Sequence, residues 1–213
     1  MRCYTPVDQA INALTALASF IRSPHNQCIL RPNPGDAAPD NPLTAAEAKI
    51  SIQLMRVNHA GEVCAQALYQ GQALTARKAD IKAHLRQSAD EEADHLDWCH
   101  SRIKALGGNT SRLNPFWYTG SFLMGIAAGL CGDKISLSFL AETEEQVTAH
   151  LGSHLAKLPA NDQKSRAIIT QMQADEQSHA HAAIERGGAP LPFGIPTLMR
   201  LSAKIMTTLA AYI

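Results

Sequence analysis

The chain has 213 residues with 19 basic and 19 acidic side chains, hence no net charge, and a pI near 7.1. That length suits one packed domain with an appendage, and the neutral balance excludes the basic footprint of a nucleic-acid binder. Five cysteines, an odd number without a C-x-x-C, exclude a disulfide framework or a structural zinc site and suit a reducing compartment. In chain order, Val7, Ile11, Leu14, Leu17 and Ile21 follow helical spacing, so residues 7–22 read as an isolated amphipathic helix. A cleaved signal is the weaker reading, because the positive region before it is thin and Asp8 sits at its edge. Residues 31–42, RPNPGDAAPDNP, carry four prolines and a glycine and read as a linker. This divides an N-terminal helix and Pro-rich linker, 1–43, from a main domain, 44–213. Thr44 followed by Glu47 forms a capping box that opens a helix to about Arg77. A second helix is expected over about 80–106, stopping at Gly107-Gly108. The loop 109–115 leads to a third helix over about 118–130. A fourth begins near Asp133 and ends near Leu158-Pro159, and a fifth covers about 161–186 and stops at Gly187-Gly188. A last apolar helix spans 196–213. Few stretches alternate with period two, so the reading is an all-α bundle.

The second and fifth helices carry related motifs 84 residues apart: Glu91-Glu92-Ala93-Asp94-His95 and Asp175-Glu176-Gln177-Ser178-His179. Each reads acid-Glu-x-x-His. Positions i and i+3 share a helix face, so Glu92 and His95 point together, as do Glu176 and His179. One such pair from each of two helices, completed by a lone Glu from each of two further helices, is the ligand plan of ferritin-like di-iron carboxylate proteins. Walking back 30 residues from Glu92 reaches Glu62, and 32 from Glu176 reaches Glu144. Helical phase tests these acids. Glu144 sits in an apolar stripe of Leu137, Leu140, Val147, Leu151, Leu155 and Leu158, whereas its competitor Glu145 shares a face with Ser138, Thr148 and Gly152. An acid on a core face must be paired or metal-bound. Glu92 and Glu176 pass the same test. Glu62 has a mixed face of Met55, Asn58, Ala65 and Tyr69. Four carboxylates and two imidazoles suit two iron or manganese ions better than copper or zinc.

Glu91 and Asp175 point one step around the helix from these ligands. A metal-bound histidine usually donates its other N–H to a carboxylate. Asp175 is therefore expected to support His95, and Glu91 to support His179, each across the bundle; the alternative is that both are surface acids. His150 and His154 follow Glu144, and His154 lies near the apolar face, where it either touches the site or is an ordinary buried histidine. Tyr69, two turns from Glu62, reads as core.

The strings Leu54-Met55-Arg56-Val57-Asn58-His59-Ala60-Gly61-Glu62, Gly132-Asp133-Lys134 and Ala141-Glu142-Thr143-Glu144, with the two motifs, resemble the demethoxyubiquinone hydroxylases of coenzyme Q biosynthesis over about residues 45–213. Ferritins and rubrerythrins share the ligand plan but not these strings. The resemblance implies a ferritin-like four-helix bundle with added interfacial and N-terminal helices. It implies that Glu62, Glu92, His95, Glu144, Glu176 and His179 hold two iron ions. It further implies a monooxygenase that hydroxylates the ring of a polyprenylated demethoxyubiquinol with O2 and an external electron donor, at the membrane. A ferritin- or rubrerythrin-like iron-storage or peroxide-scavenging protein is the alternative.

The residues add their own indication of lipid contact. Residues 115–131 carry no charge, but the run is short for a span of ~20 residues and is interrupted by Gly120, Gly125 and Gly129. It reads as a helix in the interface with Trp117 and Tyr118 at headgroup depth. The last helix is amphipathic, with Leu198, Leu201, Ile205 and Leu209 on one side and Arg200 and Lys204 on another, as suits anionic lipid. For both, a packed core or homodimer contact is the competing reading. Together with the resemblance, these features imply a peripheral membrane protein, on the cytoplasmic face of the inner membrane if the source is bacterial, with a homodimer or other ubiquinone-biosynthesis proteins as partners and no nucleic acid.

Overall fold

The computed structural model describes residues 31–213; the helix expected over 7–22 lies outside them. Among the described residues there are six α-helices and no strand: α1 (Ala45–Thr75), α2 (Ala79–Ala105), α3 (Asn114–Leu130), α4 (Asp133–Lys157), α5 (Gln163–Glu185) and α6 (Ile195–Ala210). α1 pairs with α2, and α4 with α5, each through a short connection that makes the partners antiparallel. The two hairpins close on each other, and α3 is the crossover between them, packed along α1. This is a ferritin-like four-helix bundle with one long crossover.

Local sequence sets the helix ends. The Thr44 hydroxyl accepts from the Glu47 N–H, and the Glu47 carboxylate accepts from the Thr44 N–H, so the capping box is closed. α2 and α5 end alike. Gly107 N–H donates to Lys104 O and Gly108 N–H to Ile103 O; Gly187 donates to Ile184 O and Gly188 to Ala183 O. These are two Schellman motifs, and their first glycines sit at φ +76° and +112°, where a side chain is strained. Asp162 caps α5 at Ser165 and pairs with the buried Arg102 at 2.6 Å, tying the start of α5 to the end of α2.

α3 begins at Asn114, four residues before the expected position. Pro115 marks not the loop but the first helical turn, where its missing N–H leaves no bond unmade. α3 lies so close to α1 that a Cβ on Gly125 would strike Leu68 O, and one on Gly71 would strike Phe122 O. The Pro-rich segment is also more than a tether. Pro34–Ala37 form one 3-10 turn, capped by Asn33, with Gly35 buried against Ile168 of α5.

Two apolar layers fill the bundle. Leu68, Tyr69, Ile81, Leu85, Leu137 and Leu140 form one, with Ala183. Met55, Trp98, Cys99, Ile103, Leu151, Ile169 and Met172 belong to the other. Between them, on all four bundle helices, lie Glu62, Glu92, Glu144 and Glu176.

Candidate metal centre

The four glutamates are removed from solvent: Glu62 is 1% exposed and Glu92, Glu144 and Glu176 are 0%. Glu145, next to Glu144, faces outward. Helical spacing and the two apolar layers force this position, since each acid has a residue of each layer one or two turns along its own helix: Met55 and Tyr69 about Glu62, Leu85 and Cys99 about Glu92, Leu140 and Leu151 about Glu144, Met172 and Ala183 about Glu176.

The motif residues meet in a defined pattern. His95 Nδ1 lies 3.0 Å from Glu92 Oε2, 3.1 Å from Glu176 Oε1 and 3.7 Å from Glu62 Oε2. His179 Nδ1 lies 3.3 Å from Glu92 Oε1 and 3.2 Å from Glu176 Oε2. Glu92 and Glu176 therefore turn one oxygen toward each histidine, while Glu62 stands on the His95 side. Glu144 stands on the His179 side, in the field of Glu176, Glu92 and His179. Potential ligand atoms of Glu62, Glu92, His95 and Glu176 all lie within 4.8 Å of one another, a grouping able to hold a metal ion.

The outer nitrogens are also engaged. His95 Nε2 is 2.9 Å from Asp175 Oδ2, and His179 Nε2 is 2.8 Å from Glu91 Oε2. Each imidazole thus meets an acid of the opposite motif. These bonds fix the ring orientation: Nε2–H donates outward, and Nδ1, turned toward the carboxylates, is the atom each histidine would offer a metal. A glutamine one turn earlier braces each acid: Gln87 donates to Glu91 at 3.0 Å and Gln171 to Asp175 at 2.9 Å.

The electrostatics follow from burial. Burial pushes the Glu62 and Glu144 carboxyls well up, and their negative neighbours Glu176 and Glu92 push the same way. Glu92 is held low despite its burial, because His95 and His179 both face it. His95 and His179 are raised against their burial by the surrounding carboxylates. Asp175, in spite of desolvation, is held at about 2 by His95 and Arg31.

Whether this set fits a metal is tested by its unmet valences. Glu62 Oε2, Glu92 Oε1 and Glu176 Oε1 are buried with only an imidazole nitrogen beside them, and both oxygens of Glu144 are buried with no hydrogen bond closed on them. A buried carboxylate oxygen left so is strongly unfavourable. Four carboxylates carry the charge that two divalent cations neutralise, and the oxygen and imidazole donors suit hard to borderline metals. The residues fit.

Two further groups, not apparent from the motifs, belong to this site. Asp94, inside the first motif, is 0% exposed. Arg31, from the segment before the bundle, places Nε 2.9 Å from Asp94 Oδ2 and Nη1 2.8 Å from Asp175 Oδ2. No periodicity could signal Arg31, since it reaches the site from outside the helices. Of the remaining candidates the two histidines His59 and His154 meet other partners, whereas Tyr69 borders the cluster. His154 Nδ1 is 2.7 Å from Asn58 Oδ1, and its ring lies against His150. His59 faces Asn114, and Tyr69 is fully buried with its ring edge on His179.

Fold and site define a class: a ferritin-like bundle whose core holds a carboxylate–histidine cluster able to bind metal. Comparison with known proteins narrows it. The model of the family described as ubiquinone biosynthesis protein COQ7 matches residues 49–210, and the chain belongs to that family. It is 55% identical to a protein of Nitrosospira multiformis over 184 residues, 86% of this chain and 88% of the relative. It is 53% identical to one of Polynucleobacter necessarius, over 97% of this chain and 98% of the relative. It is 50% identical to one of Legionella pneumophila along the whole of both chains. All three relatives are named 3-demethoxyubiquinol 3-hydroxylase.

Proposed function

We propose that this chain is a 3-demethoxyubiquinol 3-hydroxylase: a monooxygenase of ubiquinone biosynthesis that places a hydroxyl on the ring of a polyprenylated quinol. The observation that carries the reading is the pair Glu92 and Glu176, each facing both histidines, with buried carboxylate oxygens that no donor but the imidazoles approaches. In this reading Glu62, Glu92, His95, Glu144, Glu176 and His179 would hold two iron ions, with Glu62 on the side of His95 and Glu144 with His179. Glu91 and Asp175 orient the imidazoles. Bound there, iron supplies O2 activation and two-electron oxidation, which side chains alone cannot perform. One oxygen atom of O2 enters a ring C–H bond, and the other leaves as water with two electrons from an external donor and two protons. The chain's own contribution is a dry, fixed cage. Leu68, Leu85, Leu140 and Met172 exclude water on either side of the acids, and the outer carboxylates hold both Nδ1 atoms inward.

The helical catalytic domain is residues 44–213, and from the segment before it Arg31 reaches into the site. A lipid-tailed substrate requires access from a bilayer, and the outer faces of α3 and α6 are apolar and exposed, with Phe116, Leu123, Leu198 and Leu201 each more than half accessible. No helix of the described residues is long and apolar enough to cross a membrane. This supports peripheral attachment to the cytoplasmic face of the inner membrane, where a homodimer, other ubiquinone-biosynthesis proteins and the electron donor would meet it. An iron-storage or peroxide-scavenging bundle has no use for these faces.

Quinone profiling in cells that depend on this chain tests the reading. Wild type restores ubiquinone, whereas Glu176→Gln accumulates the demethoxy precursor and makes no ubiquinone. An unchanged quinone profile in the variant rejects the assignment.

A further inference from the structure

Arg31 is the one strong cation brought to the metal centre from outside the four bundle helices, among the described residues. It is held by a segment that follows α5 antiparallel to it. Arg31 meets Asp175, Gly35 packs on Ile168, Asp40 pairs with Lys164 at 2.9 Å, and Asn41 donates to Asn161 O at 3.4 Å. Descending contacts on α5 and the turn before it against ascending positions in the segment define a strap, laid along about 17 Å of helix between Asp175 and Lys164 at 1.5 Å per residue. Its prolines restrict the unfolded chain, which lowers the entropy lost on docking.

The guanidinium does three things at the end of this strap. It bridges Asp94 on α2 and Asp175 on α5. It lies over the Trp98 ring at 4.9 Å, which fixes its plane. It also donates to the same Asp175 oxygen that accepts from His95 Nε2, while Gln171 occupies the other oxygen. Asp175 is thereby locked by donors on both oxygens, and His95 has one orientation available. The opposite half differs. Glu91 has its glutamine and His179, and among the described residues its ion pair is with His179 alone.

We propose that Arg31 is a positioning residue of the metal centre: through Asp175 it sets the His95 imidazole, so the strap is an integral part of one metal position and makes the two positions unequal. The proposal rests on the reading of the cluster as a two-metal site. Loss of a group that orients a ligand typically lowers metal affinity about 10–100-fold, and here the loss falls on one ion of two.

Cobalt(II) titration of the metal-free, full-length protein, followed by visible absorption, separates the outcomes. Wild type takes up two ions. Arg31→Gln binds one of them at least ~10-fold more weakly with an altered absorption band, and keeps the other. Arg31→Lys, which offers a single point donor in place of the planar fork, falls between. Lys164→Gln, which loosens the strap away from the centre, binds both ions as wild type does. If Arg31→Gln takes up both ions with wild-type affinity and absorption, however much its melting temperature falls, Arg31 is only a tether and the proposal is overturned. Where Arg31→Gln does not fold, wild-type titration of Arg31→Lys overturns it equally. A wild-type protein that takes up no cobalt overturns the two-metal reading itself, and the proposal with it.

Discussion

His154 illustrates how one buried group shapes the pH response. Its Nδ1–H donates to Asn58 Oδ1, and burial, with His150 and Lys157 nearby, lowers its pKa to about 3. In the unfolded chain a histidine titrates near 6.5. Between those values the unfolded state holds more protons than the folded one, so stability rises with pH through that window. The contribution is complete above pH 6.5 and drains as pH falls toward 3. From pH 7 to pH 5 the loss is about 2 kcal/mol, at 1.36 kcal/mol per pH unit. His154→Gln keeps a donor for Asn58 and does not titrate, so its unfolding free energy in urea is expected to fall less over the same interval, by about that amount. Equal losses in wild type and variant would show that the proton is taken up elsewhere. The same residue-scale logic explains what could be read beforehand. Glu144 stood out because its stripe is uniformly leucine and valine. Glu62 did not, because α1 is covered by α2 on one side and α3 on another, so even its polar faces are buried: Asn58 and Gln66 are hidden alongside Met55 and Tyr69. A helix buried on two sides loses the amphipathic contrast on which phase analysis depends. Arg31 and Asp94 were illegible for a different reason, since their partnership is set by tertiary contact alone.

Among the elements, α3 has a packing role that its apolar run does not signal. Gly120, Gly125 and Gly129 interrupt that run in the sequence. Two of them let α3 close on α1: Gly125 lies against the backbone of Leu68 and Gln72, and Gly129 makes room for the Thr75 side chain. Gly120 has nothing within 4 Å of its Cβ position. The three positions therefore separate packing from helix propensity. Gly125→Val drives the two helices apart and is expected to destabilise the protein by about 3 kcal/mol, at the upper end of overpacking effects. Gly120→Ala fills open space within a helix and is expected to stabilise by up to about 1 kcal/mol. Chemical denaturation measures both. Opposite signs are required, and a neutral Gly125→Val would mean that α3 can slide on α1. The helix limits themselves were legible wherever a side chain or glycine imposes them, as at Thr44, Gly107 and Gly187. They were misplaced at Asn114, where Pro115 permits both a loop and a first turn.

At the scale of the whole molecule, the polar–apolar arrangement is inverted on one side. α6 buries only Ala210, yet Leu198, Leu201, Ile205 and Leu209 recur along it at helical spacing and are all exposed. A surface helix ordinarily turns such a stripe inward. α3 likewise exposes Phe116, Leu123, Met124 and Leu130. Both helices rest on α1 and α4, so these faces lie on the same side of the bundle. α6 is pinned there at its C-terminal end, where Arg56 donates to Ala211 O and the Arg112 N–H to Ile213 O. Exposed apolar faces of this kind mark an interaction site, and Arg200 and Lys204 on the flank of α6 suit anionic headgroups. If a bilayer covers this face, wild type sediments with anionic vesicles. The double change Leu201→Glu with Ile205→Glu removes two inserted side chains of about 1.5–3 kcal/mol each, and vesicle binding should fall at least tenfold. Because both side chains are solvent-exposed in the folded chain, the melting temperature should hold. Arg200→Gln should weaken binding to anionic vesicles by about 1 kcal/mol and leave binding to neutral ones alone. A double variant that sediments as wild type does, or that becomes unable to dimerise without losing vesicle binding, would assign the face to a second protein chain rather than to lipid.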